Sequence, residues 1–220
     1  MVFRQVPRVM MSRRMMGQGQ AMSSLRITAT DALLIIDMQA DFMPGGPLGV
    51  PGADRLPSLI NPLCDLPFGV IVATQDWHPA GHVSFVGRGG PWPVHCVAGT
   101  PGAGLSPALA QAHVGVVLRK GLHPDIDSYS AFEDNDHASR TGLDGLLKGR
   151  GITRVFVVGV ALDYCVVATA RDAVRAGFAT FVLPDACRGV RQAPAAVLDA
   201  PGMEGVNQAQ AADVLACNRA

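Results

Sequence analysis

Cys165 lies in Gly159-Val160-Ala161-Leu162-Asp163-Tyr164-Cys165, between an apolar run, Val155–Val158, and a helix-like segment from about Tyr164 to Ala176. A thiol where a strand turns into a helix meets unpaired N–H groups and the positive end of the helix dipole, which favour the thiolate. The same N–H groups can hold a developing oxyanion. Asp37 and Lys120 follow two other apolar runs. Together they supply a nucleophile, a proton acceptor and a cation, the roles an amide hydrolase needs to work through a thioester. Asp76, His78, His82 and His95 form a second set. Carboxylate and imidazole without thiolate suit zinc, iron or manganese, and the residues do not choose among them. Cys96 adjoins His95 but is not needed to complete that set. His113, His123 and His137 read as surface residues.

The elements that must position these groups alternate in type. Short apolar runs at Ala32–Ile36, Val70–Ala73, Val114–Leu118, Val155–Val158 and Ala179–Leu183 read as strands covered on both faces. Helices are expected at Ala53–Leu63, Leu143–Lys148, Tyr164–Ala176 and Met203–Leu215. Alternating strands and helices predict a single-domain, three-layer α/β/α fold around a central, mostly parallel sheet with right-handed crossovers. In such sheets sites form beyond the carboxyl ends of the strands. Asp37, Asp76, Lys120 and Cys165 all follow predicted strands. The stretch Pro79–Pro107 is rich in Gly and Pro, and loops of that length are usually functional or disordered. Gly45-Gly46 lacks the strand–loop–helix setting of a phosphate site.

Composition excludes other classes. Eighteen basic and eighteen acidic residues give a formal charge of zero, so neither nucleic acid nor an anionic membrane is expected as a partner. No apolar run approaches the roughly 18 residues of a spanning helix. Five cysteines without framework spacing read as reduced thiols, and the expected compartment is cytoplasmic. Met1–Met22 holds six methionines, four arginines and no acid. That composition fits a transit peptide or a tail upstream of a start at Met22. We take residues 1–25 as a disordered extension and residues 26–220 as the domain.

Five motifs then resemble one family: Asp37-x-Gln39-x-Asp41-Phe42, Thr74-x-Asp76-Trp77-His78-Pro79-x-x-His82-x-Ser84-Phe85, Trp92-Pro93-x-His95-Cys96, Lys120-Gly121, and Gly159-Val160-Ala161-x-Asp163-x-Cys165. Their order is similar to that of nicotinamidases, the metal-dependent amidases of the isochorismatase-like hydrolase superfamily. The resemblance runs from about Leu33 to Cys187. It implies Asp37, Lys120 and Cys165 as a catalytic triad. It implies Asp76, His78 and His95 as ligands to a divalent metal, with His82 a fourth ligand in some members. It implies a cis Val160–Ala161 peptide, with the N–H groups of Ala161 and Cys165 as oxyanion donors. Phe42, Leu48, Trp92 and Tyr129 match positions that sandwich a pyridine ring, and Val160 and Tyr164 border the same pocket. The implied substrate is nicotinamide or an analogue. The rival within the superfamily is a hydrolase of an N-carbamoyl compound, a ureide or isochorismate, whose relatives generally lack the metal set. Oligomeric state varies in the family, so a homo-oligomer is left open. Ala40 stands where an asparagine is usual, and Tyr164 differs from several relatives.

Overall fold

A computed structural model describes residues 25–191 and 194–219. The expected N-terminal extension lies, apart from Leu25, outside the described residues. Among the described residues six strands form one sheet in the order β3-β2-β1-β4-β5-β6, and every pairing is parallel. They are β1 (Asp31–Ile36), β2 (Val70–Asp76), β3 (Val116–Lys120), β4 (Arg154–Val160), β5 (Ala179–Arg188) and β6 (Val206–Gln208).

β1 lies in the middle because its sequence, DALLII, can be buried on both faces; all six residues are buried. β3 is an edge strand, and its burial alternates along the chain. Leu33, Ile35, Phe156 and Val158 face one core, which α1 (Pro57–Cys64) and α5 (Ala211–Cys217) cover through Ile60, Leu63 and Val214. Leu34, Ile36, Val155 and Val157 face the other. There α2 (Leu143–Gly149), α3 (Val167–Arg175) and α4 (Pro194–Leu198) supply Leu147, Ala170, Ala173 and Val197. The layers are therefore α/β/α, as expected. At the amino end of the sheet, Arg154 donates to both carboxylate oxygens of Asp31 at 2.7 Å, fastening β4 to β1.

Two expectations are corrected. Met203–Leu215 is not one helix. Gly202 and Gly205 take φ of +89° and +85°, which breaks any helix there. β6 then pairs with β5 before α5 begins. A three-residue edge strand is too short to show a period in sequence. The strands also run further than their apolar runs, so Asp76 and Lys120 are the last residues of β2 and β3. Among the described residues no helix is long and apolar enough to cross a membrane.

Gly159 brings β4 hard against the backbone of β1. Its φ is +114°, and a side chain there would meet the backbone of Ile36, one residue before Asp37. Only glycine lets these strands meet at this point.

Candidate active site

The carboxyl ends of four adjacent strands bring Asp37, Asp76, Lys120 and Cys165 together. Asp37 follows β1 and takes φ of +49°. β4 ends at a cis Val160–Ala161 peptide. A π-helical turn, Leu162–Val166, then carries Cys165 and leads into α3.

Lys120 is the hub. Its ammonium lies 2.5 Å from Asp76 Oδ1 and 3.0 Å from Asp37 Oδ2. It also donates to the Ser128 carbonyl at 3.0 Å and reaches Cys165 Sγ at 3.5 Å. The Thr74 hydroxyl donates to Asp37 Oδ1 at 2.6 Å and accepts the Asp37 N–H at 3.0 Å. Asp37 Oδ2 receives no hydrogen bond of good geometry among the described residues and faces the ammonium as an ion pair. A carboxylate oxygen of Asp37 and the Cys165 sulfur are within 4.8 Å of one another. Asp37 thus sets a carboxylate oxygen close to the thiol.

Electrostatics agree with that division of roles. Burial pushes the Cys165 thiol well above its ordinary range, and Lys120 offsets only part of this. In this buried turn desolvation works against the pull that the helix terminus and Lys120 exert on the thiol proton. Burial also raises the Asp37 carboxyl, against the pull of Lys120, which makes it a stronger proton acceptor. At Lys120 burial disfavours the charge, but Asp37, Asp76 and Cys165 outweigh it and hold the ammonium protonated. At Asp76 burial is overcome by Lys120, His78 and His95, so this carboxylate stays ionised.

Asp76 joins the two sets. Its other oxygen, Oδ2, lies 3.6 Å from His78 Nε2 and 3.9 Å from His95 Nε2. The Nδ1 atoms point away, to the Gly121 carbonyl at 3.0 Å and the Pro93 carbonyl at 2.8 Å. An Nδ1–H held by a carbonyl leaves Nε2 as a lone pair, the arrangement that presents histidine to a metal. Two such lone pairs facing one buried carboxylate oxygen fit a divalent cation, and the three ligand atoms lie within 4.8 Å of one another. Burial lowers the His95 imidazole, which favours its neutral, ligating form.

His82, matched to a fourth-ligand position of some family members, lies beside this set. It stacks on His78, with ring centroids 4.1 Å apart. Its Nδ1 pairs with Ser84 Oγ at 2.7 Å and its Nε2 with the Ile126 carbonyl at 3.1 Å. Its ligating neighbours are His78 and Asp127 rather than Asp76 and His95. The other histidines, His113, His123 and His137, are exposed.

A narrow, mostly apolar cavity opens onto Cys165, Asp76, His78 and His95. Phe42, Leu48, Trp92, Tyr129, Ala161 and Tyr164 line it, at positions anticipated from sequence. The Trp92 indole meets Tyr164 edge-on at 4.9 Å and donates from Nε1 to the Tyr129 hydroxyl at 3.2 Å. Val160 differs: its side chain is fully buried in the core and is not part of the cavity wall. Val50, Asp127 and Val190 also line the cavity and were not singled out. Each lies on a loop with no motif of its own, so only the fold brings it there.

A buried thiol beside a carboxylate and an ammonium thus sits at the carboxyl edge of an all-parallel sheet. Residues 31–197 match the family model described as Isochorismatase domain, and the chain belongs to that family. It is 46% identical to a nicotinamidase of Acinetobacter baylyi over 72% of this chain and 81% of that protein. It resembles the structure of PnC1 from L. infantum in complex with nicotinate, with TM-score 0.82, 44% identity, and coverage of 85% of this chain and 96% of that one. It also resembles a pyrazinamidase of Pyrococcus horikoshii in complex with zinc, with TM-score 0.73, 40% identity, and coverage of 82% and 99%.

Proposed function

We propose that this chain hydrolyses nicotinamide to nicotinate and ammonia through a thioester on Cys165. The observation that carries this reading is the convergence of Asp37 and Lys120 on the Cys165 sulfur, beside the Asp76–His78–His95 set and inside one aromatic cavity. The nicotinamidase and pyrazinamidase relatives support it.

Asp37 Oδ2 takes the thiol proton as the sulfur attacks the carboxamide carbon. The carbonyl oxygen becomes an oxyanion, received by the N–H groups of Ala161 and Cys165. Lys120 balances the negative charge that builds between sulfur and carboxylate. Asp37 returns its proton to the amide nitrogen, the C–N bond breaks, and ammonia leaves. A water then attacks the thioester and gives its proton to Asp37. Collapse of the second adduct breaks the C–S bond, Asp37 returns its proton to the sulfur to restore the thiol, and the carboxylic acid product loses its remaining proton to solvent or to the released ammonia. A divalent cation held by Asp76, His78 and His95 would supply a Lewis-acid anchor for the ring nitrogen; zinc, iron and manganese all suit these ligands. The aromatic walls fix the ring plane, so the carboxamide is presented to sulfur in one orientation. Pyrazinamide has a similar ring and the same carboxamide, and is the second expected substrate.

The test is ammonia release from nicotinamide by the metal-loaded protein, with and without chelator, beside Cys165→Ala. Release that is lost in Cys165→Ala supports the reading. Folded, metal-loaded protein that releases no ammonia from nicotinamide refutes it.

A further inference from the structure

Two members of the first motif have no part in the chemistry above. Gln39 is fully buried two residues beyond Asp37. Its Oε1 accepts the Asp76 N–H at 2.8 Å, and its Nε2 donates to the Asp76 carbonyl at 2.8 Å. The same Nε2 donates to the Ala103 carbonyl at 2.9 Å. The side-chain amide therefore pairs with both backbone groups of Asp76, as a neighbouring strand would. Parallel pairing of β1 with β2 reaches only Ile35 and Ala73, so Gln39 extends the ladder where the backbone no longer does.

Asp41 acts on the next loop. Its Oδ2 accepts the Cys96 N–H at 2.7 Å, directly after His95. The Cys96 carbonyl in turn accepts the His78 N–H at 3.0 Å. One short segment after β1 thus holds the strand end bearing Asp76 and the loop bearing His95, and through Cys96 it reaches His78. Asp76 is sensitive to such support because its carboxylate faces Lys120 on one side and two imidazoles on the other.

We propose that Gln39 and Asp41 are positioning residues that set the relative placement of Asp76, His78 and His95, and so the affinity for the cation. This rests on the reading that those three residues hold a divalent ion. Neither positioning residue touches the reacting atoms.

The test is zinc affinity of the full chain, measured by competition with a chromophoric chelator, with folding followed by circular dichroism. Gln39→Met removes all the hydrogen bonds to Asp76 while keeping side-chain length. Gln75→Met is the matched control, because Gln75 Nε2 donates to the same Ala103 carbonyl at 2.8 Å while its side chain makes no hydrogen bond to Asp76. Asp41→Ala removes the contact to Cys96, and Asp41→Asn keeps an oxygen acceptor there. Loss of supporting contacts of this kind weakens metal binding about 10- to 100-fold. That loss is expected in Gln39→Met and Asp41→Ala, with near wild-type affinity in Gln75→Met and recovery in Asp41→Asn. Wild-type affinity in folded Gln39→Met and Asp41→Ala overturns the proposal, as does an equal loss in Gln75→Met. If Gln39→Met does not fold, the Asp41 pair decides: wild-type affinity in Asp41→Ala, or no recovery in Asp41→Asn, overturns it. Wild-type protein that binds no zinc defeats the ligand reading itself, an outcome distinct from failure of the positioning alone.

Discussion

Replacing Asp37 with asparagine separates the chemistry of the site from its stability. The change keeps the shape of a fully buried side chain and removes only the charge and the basic oxygen. Removing one partner of a buried ion pair costs about 3–5 kcal/mol when the other charge is left alone. Lys120 is not left alone here. Asp76 remains 2.5 Å from its ammonium, and the Ser128 carbonyl 3.0 Å away. The relevant loss is then one ion-pair contact at 3.0 Å, about 1–3 kcal/mol, and the protein stays folded. Catalysis loses its proton acceptor, worth about 100- to 10,000-fold in rate. At about 1.36 kcal/mol per decade that is about 2.7–5.4 kcal/mol of transition-state stabilisation. Urea denaturation reads the first quantity, and kcat/KM for ammonia release from nicotinamide reads the second. The pH profile adds a third readout. Wild-type activity rises as Asp37 ionises, through a pKa that burial holds above the ordinary carboxylate value. That acidic limb should vanish in the variant. Folded Asp37→Asn with near wild-type kcat/KM and an unchanged acidic limb would refute the assignment of Asp37 as base.

Lys120→Met leaves Asp37 and Asp76 buried without the cation between them. We expect it to cost about 3–5 kcal/mol of unfolding free energy, read by urea denaturation, more than Asp37→Asn. Gly121→Ala would place a methyl group 2.6 Å from His78 Nδ1 on a backbone with φ of +64°, displacing the imidazole. Zinc affinity should fall about 10- to 100-fold, and titration calorimetry checks this. Trp92→Phe deletes the hydrogen bond to the Tyr129 hydroxyl at 3.2 Å while keeping an aromatic wall. At about 0.5–1.5 kcal/mol per hydrogen bond, KM should rise roughly two- to twelvefold with kcat little changed. A change confined to kcat would contradict a wall-positioning role.

Much of the architecture was legible because buried parallel strands advertise themselves. Asp31–Ile36 carries a continuous apolar run, and its central place in the sheet follows from having no polar face. The convergence of Asp37, Lys120 and Cys165 followed from their shared position after such runs. β6 was not legible, since three residues at an edge are held by pairing to β5 rather than by their own pattern. The burial of Cys165, which raises its thiol against the pull of the helix terminus, was not legible, because local sequence shows the turn but not what packs around it. His82 shows a further limit. Sequence places it near the other imidazoles, but loop contacts to Ser84 and Ile126 decide where its nitrogens point. Asp127 and Val190 reach the cavity only through the path of their loops.

Rapid-quench intact-mass analysis during turnover of nicotinamide tests the nucleophile most directly. The account predicts a transient gain of one nicotinoyl group, mapped to the Cys165 peptide and absent from Cys165→Ala, which releases no ammonia. Ammonia release that persists in Cys165→Ala, or an acyl group mapped to another residue, would contradict it.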